Sequence, residues 1–325
     1  MKANKKKILF LLRGMDGLGH VVPIAAIAMG LRKKGHVIYF LTYAYGIAFL
    51  KEHKFSNVID IGKPDHPEGT VPWKDLYEIT TDVIPLIYKI NPDLIIVDGE
   101  CDALFLLGTT NIKFVFLTTP HYIDLDVSYW KKYSFYGMAG LQHTENIIVH
   151  GFFAPINKHN INHKFVGPVV REIPKQEVSN IVSIVLGNTI SKNMYKFSIK
   201  LKKILIELGY KPIIVDYSIN KIKNPLKLFA KSQFIVTHGG ISTINELCVM
   251  GKPSIIIYDK DNAEKMSNAK IIKKLDLGEI LDISTAIPKN SVIKLIKKIN
   301  DRHKLIKPIK NGTQDAIKII ENMLK

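Results

Sequence analysis

The sequence predicts an α/β fold of two similar parallel-sheet domains facing each other across a cleft. Three observations carry this reading. Short apolar runs, suited to strands buried on both faces, alternate with helical patterns along the chain. The alternation pauses at Gly167-Pro168 and restarts at Ile181. Glycine-rich or polar turns follow the apolar runs, where parallel sheets bind ligands. A length of 325 residues suits two ordinary domains.

Taken in order, Ile8–Leu12 reads as the first strand and runs into the turn Arg13-Gly14-Met15-Asp16-Gly17-Leu18-Gly19-His20. A helix is expected from Val22 to Lys34, closed by Gly35, and a second strand over Val37–Thr42. A short strand at Val58–Ile61 precedes a long helix from Trp73 to Ile90, broken by Asn91-Pro92-Asp93. Leu94–Val97 ends at Asp98, Gly99 and Glu100, and Phe114–Leu117 ends at Thr118-Thr119-Pro120-His121. Ile147–Val149 and Phe165–Val166 complete a first domain of residues 1–167.

The second domain, 168–325, opens with a strand over Ile181–Leu186 that ends in Gly187-Asn188-Thr189. A helix over Lys192–Leu208, a strand at Pro212–Val215 and a helix at Leu226–Lys231 follow. Phe234–Ile257 then reads as strand, glycine turn, helix and strand. A helix over Ala263–Leu275, a short strand at Glu279–Leu281 and two closing helices, Lys289–Ile299 and Thr313–Leu324, finish the chain.

Composition bounds the function. With 46% hydrophobic and 23% charged residues the chain reads as a globular protein with substantial cores. No apolar run is long enough for a membrane helix, and Ile8–Leu12 is too short to be the core of a signal peptide. Two cysteines, Cys101 and Cys248, give neither a disulfide framework nor a metal-ligand spacing, so a cytoplasmic location is expected. The formal charge of +17 comes from lysines spread along the chain. It fits solvated helix faces, and equally attraction to an anionic membrane surface or to phosphorylated substrates, which would make the protein peripheral at the cytoplasmic face. No nucleic-acid motif accompanies it, so no specific nucleic-acid partner is expected.

The stretch Phe234–Ile257 carries the chemistry. His238, Gly239 and Gly240 end an apolar run just where a helix begins, so backbone N–H groups and the positive end of the helix dipole can meet a pyrophosphate. Ser242 and Thr243 add hydroxyl and N–H donors; an ordinary tight turn with a Ser/Thr cap is the competing reading. Thr243-x-x-Glu246 also fits a helix capping box.

The ordered set Thr237-His238-Gly239-Gly240, Ser242-Thr243, Glu246, Gly251, Pro253 and Asn268-Ala269 resembles the C-terminal domain of the GT-B nucleotide-sugar glycosyltransferases, of the MurG and UDP-glucuronosyltransferase-like type (families 28 and 1). Gly17, Gly19, His20 and Pro23 resemble the glycine-rich first turn of that family, and Gly35-His36-Val37 the end of its first helix. The resemblance implies two Rossmann-like domains, the first binding the acceptor and the second the donor. It implies transfer of a sugar from a nucleotide diphosphate, most simply UDP, to a lipid-linked, glycolipid or other envelope-precursor acceptor, with inversion, without metal and without a bound cofactor. His20 would be the general base, with Asp16 as its rival or orienting partner. Gly187, Asn188 and Thr189, with help from Asn193, would contact phosphate, and Glu246 the ribose hydroxyls. Glu264 and Asn268 would meet the donor sugar; Glu264-Lys265 departs from the Asp-Gln of many relatives, and a lysine there would favour an acidic sugar. The short segment from Val215 to Leu226, with Tyr217, leaves the base open.

Asp259-Lys260-Asp261 and Asp124-Leu125-Asp126 both read DxD, a pattern common by chance, and no metal role is expected. Tyr129 to Met138 interleaves aromatics with lysines and fits either a lipid-headgroup interface or an amphipathic core helix. His121 is a candidate acceptor contact or a plain loop histidine. Two alternatives stand beside the transferase: a nucleotide-sugar hydrolase of the same fold, and a non-catalytic sugar-nucleotide-binding subunit.

Overall fold

The computed structural model describes residues 5–14, 17–63, 74–124, 135–157, 159–187, 192–216, 225–260, 262–284, 287–301 and 306–325. The chain divides into two compact units, Met1–Arg171 with Asn311–Lys325, and Glu172–Lys310.

In the first unit seven strands form one sheet: β1 (Lys7–Leu12), β2 (Val37–Thr42), β3 (Val58–Asp60), β4 (Leu94–Asp98), β5 (Phe114–Thr118), β6 (Ile147–Val149) and β7 (Lys164–Phe165). Their order is β3-β2-β1-β4-β5-β6-β7 and every pairing is parallel. The central strands β1, β4, β5 and β6 are almost wholly apolar because both faces are covered, whereas the edge strand β7 is exposed. Ile8, Phe10 and Leu12 join one core cluster, while Leu9 and Leu11 join the other, as the two-residue repeat of a strand requires. The long helix expected from Trp73 is broken into helix Leu76–Glu78, a π-helical turn Ile79–Val83 and helix Ile84–Ile90. Asp75 starts it with a capping box to Glu78.

The closing helix Thr313–Met323 belongs to this first unit, which corrects the expectation that 168–325 stay together. Its apolar face, Ala316, Ile317 and Ile320, joins the cluster built on helix Val21–Lys33. Gly30 admits it: a Cβ there would lie 2.2 Å from Ile317 Cδ1. His36 Nε2 meets Glu321 Oε1 at 2.6 Å, and Thr313 Oγ1 donates to the Val170 carbonyl at 2.8 Å.

The second unit holds β8 (Ile181–Leu186), β9 (Lys211–Asp216), β10 (Ser232–Thr237), β11 (Ser254–Tyr258) and β12 (Glu279–Asp282), in the order β12-β11-β10-β8-β9, again all parallel. Phe234 and Val236 face one core cluster and Ile235 the other. In each sheet the chain reverses its direction of winding once, between β1 and β4 and between β8 and β10. Ligands of such sheets bind at the carboxyl ends of strands beside that point.

Candidate active site

In the first unit the turn after β1 delivers His20, and the end of β4 delivers Asp98. Leu12 and Asp98 are paired in register, so the two turns lie side by side at the reversal point. His20 Nδ1 is 2.6 Å from Asp98 Oδ1. A carboxylate can only accept, so Nδ1–H donates, and in the neutral ring that tautomer leaves Nε2 with its lone pair. His20 occupies the N-cap position of helix Val21–Lys33 but makes no side-chain cap. Its side chain is 23% exposed while that of Asp98 is 4% exposed, an arrangement of a reachable base on a buried anchor. Gly99, at φ +80°, stands against His20 and Arg13: a Cβ there would lie 3.3 Å from His20 Nδ1 and 2.8 Å from Arg13 Cβ.

Further polar groups line the same edge. Glu100 is buried and accepts from the Tyr43 hydroxyl at 2.7 Å and, more loosely, from the Lys74 backbone N–H at 3.3 Å. Burial pushes its carboxyl up to about 7, against the pull of Tyr43 and Arg13. His150, just past β6, is buried, which lowers its imidazole to about 4 and keeps it neutral. His121 is buried within helix Pro120–Asp124, its ring against Phe153. Asp124 accepts from the Asn157 backbone N–H at 2.8 Å. Asp16, Asp126 and most of the aromatic-basic stretch, 129–134, lie outside the described residues.

In the second unit Gly187 ends β8 and His238-Gly239-Gly240 ends β10 on the neighbouring strand. A Cβ on Gly187 would fall 2.0 Å from His238 Nε2, so glycine is what lets the imidazole sit there. His238 is buried, and burial with the nearby Lys265 charge lowers its pKa to about 3. Gly239 has φ +82°, and a Cβ on it would meet the Lys265 carbonyl at 3.0 Å. Gly240 is the N-cap of helix Ile241–Met250 and supplies no side-chain cap, so the first-turn N–H groups, including those of Ser242 and Thr243, receive none from it. Because the helix starts at Gly240, the capping-box alternative for Thr243 and Glu246 fails by position. Glu246 lies beyond the first turn, buried to 4% exposure.

Asn268 lies against the glycine turn. It has 0% exposure, and its Nδ2 donates to the Gly239 carbonyl at 3.0 Å, a bond that ties it to the glycine turn. Glu264 lies in the first turn of helix Ala263–Lys274, whose N-cap Asn262 accepts from the Lys265 N–H at 3.0 Å. Lys265 is buried, which lowers its pKa, while the Glu264 and Asp259 charges oppose that shift. Asn193 is exposed on helix Lys192–Glu207. Asn188, Thr189, Tyr217 and Asp261 are outside the described residues. Among the described residues no group of three or more His, Cys, Asp or Glu side chains could hold a metal ion, and no helix is long and apolar enough to cross a membrane.

The comparisons with known proteins agree with this layout. Residues 180–323 match the glycosyltransferase family 28 C-terminal domain. An uncharacterized glycosyltransferase of Methanosarcina mazei is 23% identical over 345 aligned positions, covering 90% of both chains. UGT89C1 of Arabidopsis thaliana, solved with UDP-L-rhamnose, has a similar structure with a TM-score of 0.67 at 14% identity, covering 99% of this chain and 100% of that one. MurG of Acinetobacter baumannii matches with a TM-score of 0.63 at 14% identity, covering 97% of this chain and 99% of that one.

Proposed function

We propose that this chain, whose residues 180–323 match the glycosyltransferase family 28 C-terminal domain, is a GT-B nucleotide-sugar glycosyltransferase that transfers a hexosyl group from a UDP-sugar to an acceptor hydroxyl, with inversion and without a metal ion. The observation that carries this reading is the 2.6 Å contact of His20 with Asp98 at the reversal point of the first sheet. His20 Nε2 takes the proton of the acceptor hydroxyl as that oxygen attacks the anomeric carbon. The bond from that carbon to the phosphate oxygen breaks, and its electron pair leaves with the diphosphate. Asp98 holds the ring in the required tautomer and stabilises the imidazolium that forms.

The donor is assigned to the second unit. The turn His238 to Gly240 and the N–H groups of Ser242 and Thr243 would receive the diphosphate, with Gly187-Asn188-Thr189 on the adjacent strand end. Glu246 would accept from the ribose hydroxyls. Glu264 would face the donor sugar with Lys265 beside it, while Asn268 keeps the turn in shape. UDP is favoured because UGT89C1, of the same fold, was solved with UDP-L-rhamnose.

The acceptor is assigned to the first unit, as a lipid-linked, glycolipid or other envelope-precursor saccharide. A net charge of +17 supports an anionic, membrane-held substrate met by a peripheral cytoplasmic enzyme. The test is a thermal-shift panel of nucleotides and nucleotide sugars, followed by transfer assays with the donor that stabilises most. Selective stabilisation by UDP sugars is expected. No stabilisation by any nucleotide sugar would overturn the assignment, and release of free sugar without acceptor would replace transfer by hydrolysis.

A further inference from the structure

Three adjacent strands of the first sheet, β4, β5 and β6, end in polar side chains that are buried and incompletely satisfied. Asp98 closes β4, Thr118 closes β5 and His150 follows β6. Their exposures are 3%, 2% and 2%. Asp98 Oδ2, Thr118 Oγ1 and His150 Nδ1 have no hydrogen-bond partner among the described residues. Val97 pairs with Phe116 and Phe116 with Ile147, so by strand alternation Asp98 and His150 fall on one face of the sheet, two strands and two residues apart, while Thr118, paired with Val149, falls on the other. The backbone ties two of them further: the His150 N–H donates to the Thr118 carbonyl at 2.8 Å.

A buried carboxylate oxygen without a donor is costly, and so is a buried ring nitrogen without a partner. The usual remedy is a bound water, which satisfies buried polar groups of this kind. The ionisable groups close enough to act on His150 are Asp98 and His20, the two members of the pair described above.

From the two unpartnered atoms on this face, we propose that His150 is a positioning residue for the His20–Asp98 pair, donating through water to the second oxygen of Asp98. Its neutrality matters. A lysine or arginine in its place would draw the Asp98 charge away from His20. A neutral imidazole satisfies the oxygen and leaves that charge for the imidazolium. This proposal rests on the transferase reading for its kinetic consequence, though not for its geometry.

Two measurements test it. Nitrogen-15 NMR of the histidine side chains, on the full chain without ligand, reads the His150 tautomer directly. The expected result is a neutral ring protonated at Nδ1, whose Nδ1 shift moves in Asp98→Asn. An Nδ1 shift that Asp98→Asn leaves in place would overturn the proposal, whether or not the protein transfers sugar. In transfer assays His150→Leu is expected to lower kcat roughly tenfold at unchanged KM, with His150→Gln recovering most of the loss. Equal kcat in wild type and a folded His150→Leu would also overturn it. Absence of transfer by the wild type would sink the proposed function alone, and the NMR result would still decide this one.

Discussion

His20 Nδ1 and Asp98 Oδ1 stand 2.6 Å apart, although 78 residues separate them in the chain. The parallel pairing of β1 with β4 brings them together, and no local sequence feature does so. His20→Ala is expected to remove nearly all transfer. Asp98→Asn should lower kcat by about 10²- to 10⁴-fold, because an amide can present its N–H to Nδ1 and stabilise the wrong tautomer. Nucleotide affinity by calorimetry should be unchanged in both, since neither residue lies in the unit assigned to the donor. Asp98→Asn with wild-type kcat would remove Asp98 from the mechanism.

Gly187 has a different vulnerability. A methyl group there would meet His238 Nε2 at 2.0 Å, inside any real contact distance. Gly187→Ala must displace the imidazole and with it the turn that His238 begins. UDP binding is expected to weaken at least about tenfold while the protein stays folded. Titration calorimetry with UDP, beside a thermal melt of the free protein, separates the two effects.

Glu246 makes a prediction about sugar hydroxyls. If its carboxylate accepts from the ribose, Glu246→Gln should weaken UDP by roughly tenfold, and 2′-deoxy-UDP by clearly less. An equal loss for both nucleotides would mean that Glu246 only supports the helix. Competition against a fluorescent nucleotide measures both affinities.

Much of this was legible before any coordinates. The strands of both units follow from apolar runs bounded by turns, and the glycine turn at His238 from its place between strand and helix. Asp98 could be seen as a strand end, but its pairing with His20 depends on sheet order, which a single sequence does not encode locally. Asn268 shows the converse. The family resemblance offers it as a ligand contact, while its burial and its bond to the Gly239 carbonyl are tertiary facts that no sequence pattern shows. The closing helix was legible as a helix, and its return to the first unit was not. That return depends on the missing side chain at Gly30 and on the buried His36 imidazole, residues distant in sequence.

Glu100 should leave a signature in stability against pH. Burial holds its carboxyl at about 7 in the folded protein, above the ordinary 4.5. Between those values the folded state binds a proton that the unfolded state has lost, so this group makes stability fall as pH rises, by up to roughly 1.4 kcal/mol per pH unit. Above about pH 7 the penalty is constant. Glu100→Gln keeps an acceptor for Tyr43 and removes the titration. Urea unfolding from pH 4.5 to 8 is expected to show the variant gaining on the wild type as pH rises. Parallel curves would refute the assignment.

The closing helix gives the last prediction. Ile317 and Ile320 are buried in the first unit's core, so Ile320→Ala should cost about 2–5 kcal/mol and lower the melting of that unit. Glu321 titrates in the opposite sense to Glu100. Partial burial raises its pKa, but hydrogen bonds from His36 and Lys34 outweigh that and hold it below the usual range. A carboxyl lowered in the folded state contributes stability that is present above about pH 4.5 and lost as pH falls through the lowered value. The side chain is 26% exposed, so screening reduces the effect to about 1 kcal/mol. Glu321→Gln should therefore be less stable than wild type at pH 7 and indistinguishable from it near pH 3, as denaturant unfolding at the two pH values can measure. If the difference persisted at pH 3, the bonds from His36 and Lys34 to the Glu321 carboxylate would not be what this residue adds to the docking.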